Sequence, residues 1–160
     1  MRSDVQSIFD DFAGRLSGRS VSFAGLFLNS LRICVDRQLR EKAGFFLWFE
    51  PVWQLGSRQG ILVGSRQEQV EDREAHAALD LLVQRLVGRQ IERVSLELLT
   101  NDIDVRFSGG YWVRTFVSDP TADENWYLRD CISDEVLSGA AKGLQVRDKA
   151  LSDEGLERRA

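Results

Sequence analysis

The carboxylates are the residues best placed by type and spacing to do chemistry. Asp102 and Asp104 alternate with Ile103, Val105 and Phe107, which puts both acids on one face of a strand. Asp119, Asp123 and Glu124 share one loop sequence. Paired carboxylates can run hydrolysis or hold a hard divalent cation. The 119–124 stretch, however, lacks the ligand spacing and glycine of an EF-hand. His76 is the sole histidine, follows Ala75 of an apolar stripe, and has no Ser or Cys fixed beside it. It reads as surface or half-buried structure rather than as the base of a nucleophilic triad. Cys34 and Cys131 have no Cys-x-x-Cys spacing, and one histidine leaves zinc without an ordinary ligand set. Both read as buried thiols. Gly109-Gly110 and Gly56-Ser57-Arg58-Gln59-Gly60 are turn sequences, not phosphate loops opening a helix. The reading assigns no catalytic residue, no metal and no cofactor.

Two helices and a series of strands must position these side chains. Val5, Ile8, Phe9, Phe12 and Leu16 follow three-four spacing and predict a helix over 4–16, with Ser3 and Gln6 as its capping box. Ala75, Ala78, Leu79, Leu82, Val83 and Leu86 predict a second over about 69–87, with Glu68, Glu71, Asp72 and Glu74 near its positive end. Gly18 and Gly88 sit where left-handed C-terminal caps belong. Strands are expected at 21–28, 31–35, 45–49, 61–63, 91–99, 103–107, 111–117, 126–132 and 136–138. Asn101-Asp102 and Ser108-Gly109-Gly110 imply antiparallel hairpins.

The order helix-then-meander occurs twice. Leu16-Ser17-Gly18-Arg19-Ser20-Val21 matches Leu86-Val87-Gly88-Arg89-Gln90-Ile91 at an offset of 70 residues, and Leu26, Leu28, Ile33 and Val35 match Leu96, Leu98, Ile103 and Val105. Trp53 then answers Trp126 after a small gap, and 61–64 answers 136–139. Chance likeness of two β-rich stretches is the competing explanation. The expected fold is α+β, an internally duplicated helix plus antiparallel β-meander, as one compact domain over 1–160. Its pseudo-repeats span about 3–65 and 73–139, and a tail over 140–160 forms a short strand or helix. Residues 4–64 should superpose on 74–139. Each half alone has too little core, so the halves pack together, by sheet continuation or face to face.

The halves differ on their outward faces. Phe23 and Phe27 stand where the second half has Arg93 and Glu97, and Phe45-Phe46-Leu47-Trp48-Phe49 is apolar throughout. Something must cover that face: a helix, the other half or a second chain. Phe23, Phe27 and Trp48 are therefore candidate interface residues. Charge is also uneven. Residues 97–135 hold nine acids and three arginines, a local balance of −6 against +2 for the remainder. That predicts an acidic face, with Trp112, Trp126 and Tyr127 nearby, suited to a basic protein partner through Asp102, Asp104, Asp119, Asp123 and Glu124.

The 160 residues carry a net charge of −4, with arginines scattered among acids, which argues against a nucleic-acid groove. The longest apolar run, Phe45–Phe49, falls far below the ~18 residues that span a bilayer. The acidic start of the chain lacks an apolar signal core, and two cysteines make no disulfide framework. A cytoplasmic protein is the expectation, with neither nucleic acid nor membrane as partner.

The stretch 102–130 carries a Phe107-Ser108-Gly109-Gly110-Tyr111 turn, Thr115-Phe116-Val117-Ser118-Asp119 and Glu124-Asn125-Trp126-Tyr127-Leu128-Arg129-Asp130. It resembles small bacterial α+β proteins of the kind that includes immunity proteins encoded beside polymorphic or contact-delivered toxins. The resemblance rests on turn and core residues, so it transfers no binding residue. It implies a catalytically inert protein that binds another protein, such as a basic toxin domain. A homodimeric structural or assembly module, and a small-molecule binder or hydrolase using the acids, remain alternatives.

Overall fold

The computed structural model describes residues 2–37, 42–65 and 72–147. Helix α1 spans Arg2–Leu16 and buries Phe9, Phe12 and Leu16 on one stripe. It is already helical at Arg2, so the expected cap at Ser3 is displaced, and the Ser3 side chain lies outside the described residues. Helix α2 spans Arg73–Val83 and continues as a 3-10 turn over Gln84–Leu86. Asp72 caps it by accepting from the N–H groups of Glu74 (2.9 Å) and Ala75 (3.3 Å). Gln69, Glu68 and Glu71 lie outside the described residues. Leu79, Val83 and Leu86 are buried, whereas Ala78 faces water, so the apolar stripe is narrower than expected. Gly18 (φ 80°) and Gly88 (φ 82°) end the two helical segments in the left-handed conformation.

Among the described residues, eleven strands form two antiparallel sheets, five of them before α2 and six after it: β1 (Val21–Phe27), β2 (Ser30–Val35), β3 (Phe45–Phe49), β4 (Trp53–Ser57), β5 (Gly60–Gly64), β6 (Ile91–Glu97), β7 (Asp102–Phe107), β8 (Tyr111–Thr115), β9 (Trp126–Asp130), β10 (Val136–Ala140) and β11 (Gly143–Arg147). Periodicity missed β4, a weak Trp-Gln-Leu-Gly-Ser pattern. Its Gly56 is needed, because a Cβ there would sit 2.1 Å from the Trp112 ring. Of the expected tail over 140–160, residues 143–147 form the strand β11, and 148–160 lie outside the described residues. β9 ends at Asp130, whose Oδ1 accepts from the N–H groups of Ile132 and Ser133. Cys131 therefore lies in a turn rather than in the expected strand.

The sheet orders are β1-β2-β3-β9-β10-β11 and β5-β4-β8-β7-β6. Neither half keeps its strands to itself. β3 pairs with β9, Phe49 opposite Trp126, and β4 pairs with β8, Trp53 opposite Thr115. The mostly β molecule is thus held by exchange of strands between its halves. Where β1 and β6 begin, Gly18 N–H donates to Ile91 O (2.7 Å), and Gly88 N–H to Val21 O (2.8 Å). Val21 N–H donates to Arg89 O and Ile91 N–H to Arg19 O, both at 2.8 Å. α1 packs beside β6 and α2 beside β1.

One continuous core draws on both helices and both sheets, including Phe9, Phe12, Trp53, Phe107 and Trp126. Burying each such side chain contributes about 1.5–3 kcal/mol. A separate apolar cluster of Cys34, Phe46, Trp48, Tyr127, Cys131 and Val136 lies against Phe23 and Phe27.

Candidate functional site

The two sheets present unlike outer faces. On the five-stranded sheet, alternation turns Val94, Ile103, Val105 and Val113 inward. Arg93, Ser95 and Glu97 of β6, Asp102, Asp104 and Arg106 of β7, and Trp112 and Arg114 of β8 alternate with them. Register sets Arg93 opposite Arg106, Ser95 opposite Asp104, and Asp104 opposite Arg114. The result is a shallow concavity of about 430 Å³ lined by arginines and acids.

Asp104 gathers two arginines, Arg106 from its own strand and Arg114 across to β8. Asp104 accepts from Arg106 Nε (2.5 Å) and Nη2 (3.0 Å), and from Arg114 Nε (2.9 Å). Both guanidiniums also lie over the Trp112 ring, at 5.9 and 5.3 Å. Asp102 is a strand-end clamp. Its Oδ1 accepts from Val117 N–H (2.6 Å) and Thr115 Oγ1 (3.1 Å), and that hydroxyl accepts from Ile103 N–H (2.9 Å). These oxygens already have donors, so the geometry gives the acid-base reading of Asp102 and Asp104 no support.

Asp119, Asp123 and Glu124 lie in the β8–β9 connection. Asp119 Oδ1 accepts from Thr121 Oγ1 (2.7 Å) and Thr121 N–H (2.8 Å), a local turn. Those bonds, the side-chain one first, hold the exposed Asp119 carboxyl below its ordinary value. Asp123 approaches Lys142 (3.4 Å), and Glu124 pairs with Arg147.

The expected single acidic face needs correcting. The acid-rich stretch runs through both sheets, and cations from elsewhere in the chain meet it. Arg15 of α1 reaches Asp130 (2.8 Å) and Glu135 (2.9 Å), while Arg129 holds Asp134 (3.0 Å). Burial acts to lower the Arg15 pKa, but the hydrogen bond to Glu135 and attraction by Asp11, Glu135 and Asp130 outweigh it, and the value is raised.

The outer face of the six-stranded sheet is aromatic. Trp48 and Tyr127 pair across β3 and β9 and stack with rings 6.2 Å apart at 9°. Phe27 and Phe46 flank Trp48 at 6.1 and 6.2 Å. Trp48 is only 2% exposed, and its Nε1 donates to Glu50 Oε1 (2.6 Å). It is therefore not a surface anchor in this protein, and only Phe23 and Phe27 of the expected trio reach water in part.

Two arginines on this side escaped sequence reasoning. Arg37 is buried and donates to Cys131 Sγ (2.9 Å). Arg32 is half-buried, with its guanidinium 5.8 Å from the Phe23 centroid and 5.5 Å from that of Phe27. Burial pulls its pKa below the ordinary value, against the opposing pull of Cys34, Asp80 and Tyr127. The only available signal was an outward Arg in the Leu31–Val35 alternation.

Cys34 and Cys131 are buried thiols. His76 is half-buried and lines a groove between α2 and the end of β1, beside Phe27 and Arg73. Among the described residues, no group of three or more His, Cys, Asp or Glu could hold a metal, and no helix is long and apolar enough to cross a membrane. No family model matches the sequence, and no curated protein or solved structure is significantly similar to it.

Proposed function

We propose that this is a non-catalytic protein-binding protein, an immunity protein that neutralises a cognate toxin in the cytoplasm. Its partner sits against the outer face of β6, β7 and β8. The observation that carries this is the concave charged surface of about 430 Å³, with arginines and acids interleaved. Such a surface suits a partner of complementary charge, which would steer association and fix register. The two-repeat origin belongs to the same reading. It is supported by the 70-residue offset that relates Gly18 to Gly88 and Val21 to Ile91, whose main-chain bonds are reciprocal. β1 and β6 also bulge at matching places, after Val21 and after Ile91.

The test searches for a toxin-like gene beside this one and follows binding of its product by surface plasmon resonance, which reads both affinity and on-rate; the lack of such a gene would count against the reading. Arg93→Glu and Glu97→Lys reverse exposed charges and leave the Asp104 pairs intact. Together they should weaken binding at least tenfold, about 1.4 kcal/mol, mostly through the on-rate. Unchanged affinity and unchanged salt dependence would remove this face from the proposal. The homodimer reading keeps one favouring observation, the partial exposure of Phe23 and Phe27. Light scattering on Phe27→Asp tests it.

A further inference from the structure

We infer that Arg32, walled by Phe23 and Phe27, is a recognition site for a carboxylate on an apolar stem: an Asp or Glu side chain of a partner protein. The site lies on the six-stranded sheet and does not depend on the reading of the other face.

Among the described residues Arg32 makes no ion pair. Its Nε is out of water with no hydrogen-bond partner, and Nη2 has only Leu26 O at 3.5 Å. Three other arginines with part-buried side chains are met: Arg106 and Arg114 share Asp104, and Arg129 holds Asp134, whereas Arg93, without an ion pair among the described residues, is exposed to water. The acid that acts on Arg32, Asp80 of α2, is committed elsewhere. Its Oδ1 accepts from Leu26 N–H (2.8 Å) and its Oδ2 from Gln84 Nε2 (2.9 Å). Asp80 thus caps the edge of β1 and leaves the guanidinium uncompensated.

The surroundings select the ligand. Register sets Arg32 between Gly25 and Trp48. Gly25 has no side chain, and the Phe23 ring leans into that space, 2.9 Å from where a Cβ would be. A guanidinium is a planar fork that matches a carboxylate. Removal from bulk water strengthens that pairing, and the Phe rings offer apolar surface to methylene groups next to the acid. A phosphate dianion or a nucleic-acid backbone would call for several cations and a basic surface, and this protein has net charge −4. The unmet charge is positive, so the complement is an acid.

The experiment follows the backbone amide resonances of Phe23 and Phe27, present in every variant, together with the Arg32 Nε–Hε resonance of the unsubstituted protein, by NMR while the protein is titrated with acetyl-Leu-Glu-Phe-amide or its Gln and Lys counterparts. The Glu peptide should shift these resonances and bind at least tenfold more tightly than the Gln peptide. The Lys peptide should leave them unmoved. Arg32→Met should keep or raise the melting temperature, because it removes a poorly hydrated charge, and should lose the response to Glu. Arg32→Lys keeps the charge without the fork and should weaken binding at least fivefold, so the inference is testable even if the Met variant folds poorly. Equal binding of the Gln peptide, or a Glu response that survives both substitutions, overturns the proposal. So does a dimer that ignores the peptides and dissociates in Arg32→Met, which would make a second copy the occupant.

Discussion

Corresponding positions on the two sheets carry opposite solutions to one problem. A sheet buried on one side must do something with its other side. On the five-stranded sheet, Arg93 and Glu97 stand where the six-stranded sheet has Phe23 and Phe27. The first face is wet, and its charges are internally matched around Asp104. The second builds a small core of its own from Phe46, Trp48 and Tyr127 and leaves Arg32 without an anion. The two faces, one solvated and one a second apolar layer, thus differ in their outward residues, while both sheets turn apolar residues to the shared core.

The largest expected effect separates the two tryptophans. Trp48→Ala should cost ~3–5 kcal/mol, because it opens a cavity in the outer cluster and removes the donor to Glu50 Oε1, leaving Glu50 only the Ser30 hydroxyl. Trp112→Ala on the charged face should cost about 1 kcal/mol, since the ring is only part-buried. Chemical denaturation of both variants measures the gap. Equal losses would mean that the two faces are energetically alike.

A smaller effect is expected at Asp104. Asp104→Asn removes the shared anion of Arg106 and Arg114 and leaves like charges beside Arg93. The loss should be about 1 kcal/mol after screening at this part-exposed site, and it should shrink in high salt. Denaturation at two ionic strengths checks it, and a salt-independent loss would show that packing rather than charge holds this face.

The smallest effect concerns the Asp119 turn. Its lowered value means a stabilising contribution that is complete above the unfolded carboxyl value and disappears as pH falls through the folded one. Thr121→Val should raise the Asp119 titration midpoint towards the ordinary value, as read by NMR, and lower the melting temperature slightly at neutral pH, an effect that vanishes in acid. An unmoved midpoint would assign the shift to the main-chain N–H groups, which the variant keeps, rather than to the Thr121 hydroxyl.

Much of the local structure was legible. Three-four spacing located the buried faces of both helices, and Gly18 and Gly88 marked their ends, because these are short-range constraints. Alternation in β7 correctly separated Asp104 from Val105. β4 escaped because Gln54 and Gly56 interrupt its pattern, and Gly56 is explained only by Trp112 from the other half. The acidic face failed for a related reason. Counting charge along the chain assumes that sequence neighbours share a surface, yet Arg15 lies over a hundred residues from the Asp130 it neutralises.

The sequence by itself determined which side chains turn inward, where the helices stop, and that the outward residues of the two halves differ in kind. Each of these follows from backbone periods of a few residues. The tertiary structure alone decided that β3 joins β9 and β4 joins β8, that Trp48 is sealed while Phe27 is not, and that Asp80, the acid that acts on Arg32, is taken up by Leu26 and Gln84. Those outcomes depend on strand pairing between residues far apart in the chain. Register across such pairs is set by the packing of the whole core rather than by any local pattern.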